Sequence, residues 1–248
     1  MRTEKVQNVL ITGGASGMGR GAALALSDSG MSIFVADLDL DRACDTAEEV
    51  RKIGGQSEAL LVDVSRSESV HDLFDQMKSR VDKLDLLVHT AAILGGTTFL
   101  EDTTDDDWRR MMAVNLDGAF FCCREAVRWM KDTSGGRIVL FSSVASMTPT
   151  PGAIPYSAAK GGVNMLAKSL ASEAAKHNIR VNVVAPGYIR TPMLDDLPKG
   201  FEDYIVKKTP LKRLGEVDEV SGLVAFLASE KADFFTGQVL SPNGGLVI

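Results

Sequence analysis

Tyr156 and Lys160 stand four residues apart, and Ser143 precedes the tyrosine by thirteen. On a helix, an i, i+4 spacing puts two side chains on one face. A phenol with an ordinary pKa of about 10 is a poor base at neutral pH. An ammonium beside it favours the phenolate and brings the value towards working range. A serine hydroxyl can hydrogen-bond an alcohol or carbonyl oxygen as charge develops on it. Together the three groups can accept a proton from an alcohol while hydride departs, or run the reaction backwards. A Tyr–Lys pair alone is ordinarily a solvated helix surface. Ser143 distinguishes this one, because it closes an expected strand at 136–143, and Pro155 helps begin the helix that carries Tyr156.

A second constellation implies what would take the hydride. Thr12-Gly-Gly-Ala-Ser-Gly-Met-Gly19 follows a short apolar run and opens a helical stretch. Gly13 suits a tight turn, Gly17 lets the backbone approach a pyrophosphate, and Gly19 lets the helix pack on the sheet. Ser16 and Met18 complete the loop, whose helix N-terminus favours anions. Asp37 ends the next strand, 18 residues after Gly19, where a carboxylate can accept hydrogen bonds from an adenosine ribose. It would repel the 2′-phosphate of NADP, and no Arg or Lys occupies Ala15, Ser16 or Leu38. The expected cofactor is therefore NAD. Asp63 and Val64 close the third strand on the same edge; Asp63 suits either the adenine amino group or the capping of its own turn.

These residues must be positioned by alternating strands and helices. Strands are expected at 8–12, 32–37, 59–64, 86–91, 136–143, 180–185 and 239–242, with helices at 40–53, 67–81, 105–131, 156–177 and 216–229. Alternating βαβ units imply an α/β fold, a doubly wound (Rossmann) parallel sheet of about seven strands with helices on both faces. The 248 residues, 45% apolar, read as a single domain without repeats or linkers. Residues 188–213 break the pattern: six cations face four acids there on a chain of net charge −6, with three prolines. Such an insertion at a strand end is a candidate substrate lid.

The acidic balance and the lack of a basic block disfavour nucleic acid and anionic membranes as partners. No apolar run reaches the roughly 18 residues of a membrane span, and no signal peptide is recognised, so the cytoplasm is the expected location. Cys44, Cys122 and Cys123 read as reduced, buried thiols. His71, His89 and His177 lack ligand spacing, so no metal site is expected, and His89 reads as a packed strand residue. Trp108, Met111, Met112 and Trp129 read as core or subunit-contact residues.

The glycine loop at 12–19, Asn115 within VNLDGAF, Ser143, Tyr156-Ser-Ala-Ala-Lys160 and Pro186-Gly187 through Thr191 together resemble the short-chain dehydrogenase/reductase family along essentially the whole chain. The resemblance implies that Tyr156 is the general acid/base, that Ser143 orients the substrate oxygen, and that Lys160 holds the nicotinamide ribose as well as tuning the tyrosine. It further implies a water relay from Asn115 to Lys160, contacts from Ile189 and Thr191 to the carboxamide, and a homotetramer, with a dimer as fallback and a hetero-assembly with a related subunit left open. The chain departs from the family in two places. Thr90-Ala91-Ala92 stands where Asn-Ala-Gly is usual, and Asn243-Gly244-Gly245 where Asp-Gly-Gly is frequent.

The function expected is NAD(H)-dependent interconversion of a secondary alcohol and a ketone, in the oxidative direction, with a 3-hydroxyacyl-CoA as one candidate. Arg190, Lys199, Lys207 or Lys208 of the lid would meet its anionic part. The alternatives are an uncharged cyclic, aromatic or polyol alcohol, or a non-catalytic NAD-binding subunit. An epimerase of the extended branch is disfavoured, because its GxxGxxG loop and longer chain are not matched.

Overall fold

The computed structural model describes residues 8–27, 31–194 and 200–248. Its strands are β1 (Asn8–Thr12), β2 (Ser32–Asp37), β3 (Gln56–Leu61), β4 (Leu86–His89), β5 (Gly136–Phe141), β6 (Ile179–Val184) and β7 (Val239–Leu240). The helices are α1 (Gly17–Ala25), α2 (Leu40–Lys52), α3 (Ser67–Lys78), α4 (Asp105–Met112), α5 (Gly118–Met130), α6 (Ile154–Ala174), α7 (Phe201–Lys208) and α8 (Val217–Ala228). All seven strands pair in parallel in the order β3-β2-β1-β4-β5-β6-β7.

Alternation along each central strand feeds two cores. Leu10 of β1 and Ile138 and Leu140 of β5 pack with α3, α5 and α6 on one face. Val9, Ile11, Val139 and Phe141 pack with α1, α2 and α8 on the other. A sheet buried on both faces is what continuous apolar runs in parallel strands require. Side-chain caps fix where helices begin: Asp39 accepts from the Arg42 amide at 3.1 Å and Thr104 from the Asp107 amide at 3.1 Å.

Several expected boundaries move. β3 lies at Gln56–Leu61 rather than 59–64 because, as an edge strand, it turns polar residues outward and its apolar signal is weak. The helix expected over 105–131 is divided by a π-helical turn, Ala113–Asp117. α6 begins two residues early, and its last expected residues form a separate turn, Ala175–His177. Cys122 and Cys123 are buried, but Cys44 is exposed, because its position on α2 faces away from the core. Trp129 and Met111 are buried, whereas Trp108 is 40% exposed. Among the described residues no helix is long and apolar enough to cross a membrane.

Candidate active site

Because every strand runs the same way, Thr12, Asp37, His89, Phe141 and Val184 all end on one edge of the sheet. The strand order reverses direction between β1 and β4, and the crevice outside that point is where open α/β sheets bind ligands. A cavity of about 560 Å³ lies there. Gly13, Asp37, Asp63 and Thr90 bring the ends of the first four strands to its lining.

The glycine loop is shaped by close backbone approach. Gly13 has φ +75°, and a Cβ on it would fall within 2.6 Å of the Ala91 Cα. A Cβ on Gly19 would overlap the Gly13 carbonyl oxygen and the Thr90 hydroxyl. That hydroxyl donates to the Thr12 carbonyl at 2.8 Å and to the Gly13 carbonyl at 3.1 Å, so Thr90 clamps the loop against β4. His89 sits beneath, with Nδ1 2.7 Å from the Thr12 hydroxyl. Burial pushes its pKa down to about 3, with Lys160 adding to the effect, and holds the ring neutral. Among the described residues its Nε2 has no hydrogen-bond partner. This agrees with a packed strand histidine.

Asp37 accepts from the Ala15 amide at 3.0 Å and from the Asp39 amide at 3.1 Å, one bond to each carboxylate oxygen. Lone pairs remain on both, and the residue borders the cavity. Asp63 accepts from the Ser65 amide at 3.0 Å and hydroxyl at 2.6 Å, so it caps its own turn while it and Val64 line the cavity. The loop that a Cβ would fill, the α1 N-terminus and the ribose-competent carboxylate together fit a nicotinamide dinucleotide. Ser16, Gly17, Met18, Ala91 and Thr191 line the same space.

Helix α6 is docked onto the end of β5 by three bonds. The Ser142 hydroxyl donates to the Lys160 carbonyl at 2.9 Å, the Lys160 ammonium to the Phe141 carbonyl at 2.9 Å, and the Asn164 amide to the Ser146 hydroxyl at 2.8 Å. Ser143, at the start of a 3-10 turn, accepts from the Ala145 amide at 3.2 Å and lines one pocket with Tyr156. Burial pushes the Tyr156 phenol up to about 12, against the pull of Ser143 and with Tyr188 adding to the rise. Burial also brings Lys160 down to about 8. The expected lowering of the phenol is thus not the balance found, because desolvation of the anion outweighs the favourable contacts.

Asn115 sits in the π-helical turn and is buried. Its side chain bridges the Ile93 backbone, accepting from the amide at 2.8 Å and donating to the carbonyl at 2.8 Å, and also donates to the Met111 sulfur. It therefore organises the segment after β4, and its side chain is fully engaged there.

Beside Ser143 and Tyr156 lies a second cavity, of about 160 Å³. It shares Met18, Thr191 and Met193 with the larger one, so the two adjoin. Pro186, Gly187 and Ile189 also line it, which brings them alongside Ser143 and Tyr156. Leu94, Tyr188, Met193 and Phe201 close it as apolar wall; the ring centroids of Tyr188 and Phe201 are 5.6 Å apart. Sequence reasoning did not single these four out, because they come from loops and a short helix without periodic pattern.

Among the lid cations, Arg190 is held by Glu202 at 3.1 Å and Glu216 at 3.5 Å, and Lys208 lies 5.7 Å from the centre of the Tyr204 ring. Lys199 falls outside the described residues. The Asn243 side chain donates to the Val247 carbonyl at 2.9 Å and accepts from the Gly245 amide at 2.8 Å. A carboxylate could not make the first of these bonds, which gives the departure from Asp a structural reason.

The parallel sheet, glycine loop and Ser–Tyr–Lys cluster define a nucleotide-binding oxidoreductase of the α/β class, and comparison with known proteins agrees. The family model described as Enoyl-(Acyl carrier protein) reductase matches residues 13–247. The chain belongs to the short-chain dehydrogenase/reductase family of oxidoreductases. It is 33% identical over 239 residues to 3-oxoacyl-[acyl-carrier-protein] reductase FabG of Thermotoga maritima, covering 96% of this chain and 97% of that one. It is 34% identical over 236 residues to 2-dehydro-3-deoxy-L-rhamnonate dehydrogenase (NAD(+)) of a Sphingomonas species, covering 95% and 93%. The crystal structure of a short-chain type dehydrogenase/reductase from Mycobacterium marinum superposes with a TM-score of 0.94 at 31% identity, covering 98% and 96%.

Proposed function

We propose that this chain is an NAD(H)-dependent oxidoreductase that interconverts a secondary alcohol and a ketone, working in the oxidative direction. The observation that carries the reading is the meeting of Ser143 and Tyr156 in a pocket that adjoins the dinucleotide cavity, with Lys160 on the same helix face. A bound nicotinamide would supply the hydride acceptor. Tyr156 then takes the hydroxyl proton and Ser143 holds the oxygen as it becomes a carbonyl. Lys160 gives the phenolate a cation above its ring, within 5.7 Å of the centroid. A proton relay near Asn115 would run through the backbone, since its side chain is committed to Ile93 and Met111.

NAD is favoured over NADP by the Asp37 carboxylate at the cavity wall and by the absence of Arg or Lys at Ala15, Ser16 and Leu38. Ile189 and Thr191 are proposed to meet the nicotinamide carboxamide. The chain works as one unit over 1–248, with 188–213 as its lid, in the cytoplasm and as a homotetramer.

The pocket beside Tyr156 has no charged lining residue among those described, so the groups flanking the reacting carbon are uncharged. For a 3-hydroxyacyl-CoA the lid offers less than its charge suggests, since Arg190 is already paired. The relatives' names bracket the choice between a thioester and an NAD⁺-linked sugar acid. The testing experiment follows NADH formation from NAD⁺ with 3-hydroxyacyl-CoA and with a panel of cyclic, aromatic, polyol and hydroxy-acid substrates. Turnover of any one supports the reading. A protein that binds NADH and turns over none would instead be a non-catalytic subunit.

A further inference from the structure

A third cavity, of about 150 Å³, shares wall residues with the other two. It shares Ile93 and Arg110 with the dinucleotide cavity, and Leu94, Gly95, Gly152 and Tyr156 with the pocket at the reacting centre. Arg110 is the sole cationic residue among the described linings of all three. The preceding arginine shows that α4 can neutralise a guanidinium: Arg109 binds Asp105 at 2.8 Å and Asp106 at 3.1 Å. The Arg110 guanidinium has no hydrogen bond or ion pair among the described residues. Asp107 lines the same cavity, where one of its carboxylate oxygens accepts from the Thr104 hydroxyl at 2.6 Å.

We propose that Arg110 is a specificity residue that anchors a carboxylate at the far end of the substrate, whose reacting carbon lies at Tyr156. This rests on the oxidoreductase reading above and narrows its substrate class to small hydroxy or oxo acids with an uncharged middle. A planar guanidinium binds a carboxylate through two parallel N–H···O bonds, which orients the substrate as well as holding it. An unpaired cation lining a cavity next to the reacting group is placed for that task.

The test loads the protein with NADH and titrates it calorimetrically with two oxo acids, levulinate and 5-oxohexanoate, and with their methyl esters. Wild type should bind the acids about tenfold or more tighter than the esters, the effect of one charge-assisted contact. Arg110→Gln should level acid and ester, and Arg110→Lys should restore part of the difference. NADH affinity, read by fluorescence, should stay within about twofold in both variants. Equal affinity for acid and ester in wild type, or an acid preference that survives Arg110→Gln, overturns the proposal. So does a variant that loses NADH instead, which would assign Arg110 to the dinucleotide phosphates. Acids that bind through Arg110 while no NADH is consumed support the anchor and count against the oxidoreductase reading.

Discussion

The Lys160 ammonium donates to the carbonyl of Phe141 at 2.9 Å, tying the catalytic helix to the last residue of β5. The bond holds the cation over Tyr156, and it does so with a charge removed from water. Burial lowers Lys160 to about 8 from an ordinary 10.5. Between those values the unfolded chain binds the additional proton, so stability rises as pH climbs from 8 to 10.5, and the penalty is complete below 8.

Lys160→Met should therefore gain stability relative to wild type at pH 7, by up to about 3 kcal/mol before the lost hydrogen bond is subtracted. The advantage should shrink steadily by pH 10. Urea midpoints of both proteins across that range measure it. A difference that does not change with pH would show that Lys160 is not strained by its charge.

Tyr156→Phe removes the proton acceptor and leaves the ring packed. The expected loss in kcat is about 10²–10⁴-fold, with NADH binding unchanged. Turnover close to wild type would refute the assignment of the tyrosine.

Asp37→Asn keeps an acceptor for the Ala15 amide, removes the charge and gives up the bond from the Asp39 amide. Wild type should bind NADH more tightly than NADPH, and the variant should narrow the gap by roughly tenfold, mainly by admitting NADPH. Fluorescence titration with both coenzymes decides it; an unchanged ratio would mean that another group excludes the phosphate.

Gly19→Ala should destabilise by about 1–3 kcal/mol and weaken NADH binding, since its Cβ meets the Gly13 carbonyl. Gly222→Ala on α8, where the new Cβ meets nothing within 4 Å, should instead stabilise by about 0.5–1 kcal/mol. Thermal melts of the pair separate steric conflict from a general effect of added methyl groups.

Residue type and order made much of the framework legible. The apolar runs of β1, β2 and β5 are buried on both faces and read directly as strands. The edge strand β3 did not, because half its side chains face water and dilute its pattern. The π-helical turn is silent in periodicity, yet it carries Asn115, whose side chain reaches back to Ile93. Glycine spacing announced the loop, but the clamp by Thr90 depends on a hydroxyl meeting two carbonyls from a distant strand. Nor could spacing foretell that burial would raise Tyr156, because desolvation is a property of the packed site. Arg110 passed unnoticed for a similar reason: its neighbour has partners and it does not, a difference visible only in space.

The pairing of β1 with β4 has a further consequence, for biosynthesis. The bond between Thr12 and His89 joins residues 77 positions apart. At ribosomal rates of roughly 5–20 residues per second, β1 waits about 4–15 s for that neighbour. Val9, Leu10 and Ile11 thus spend this interval with one backbone edge unpaired on the nascent chain. The segment most open to misassembly during synthesis is the one that later forms the floor of the crevice.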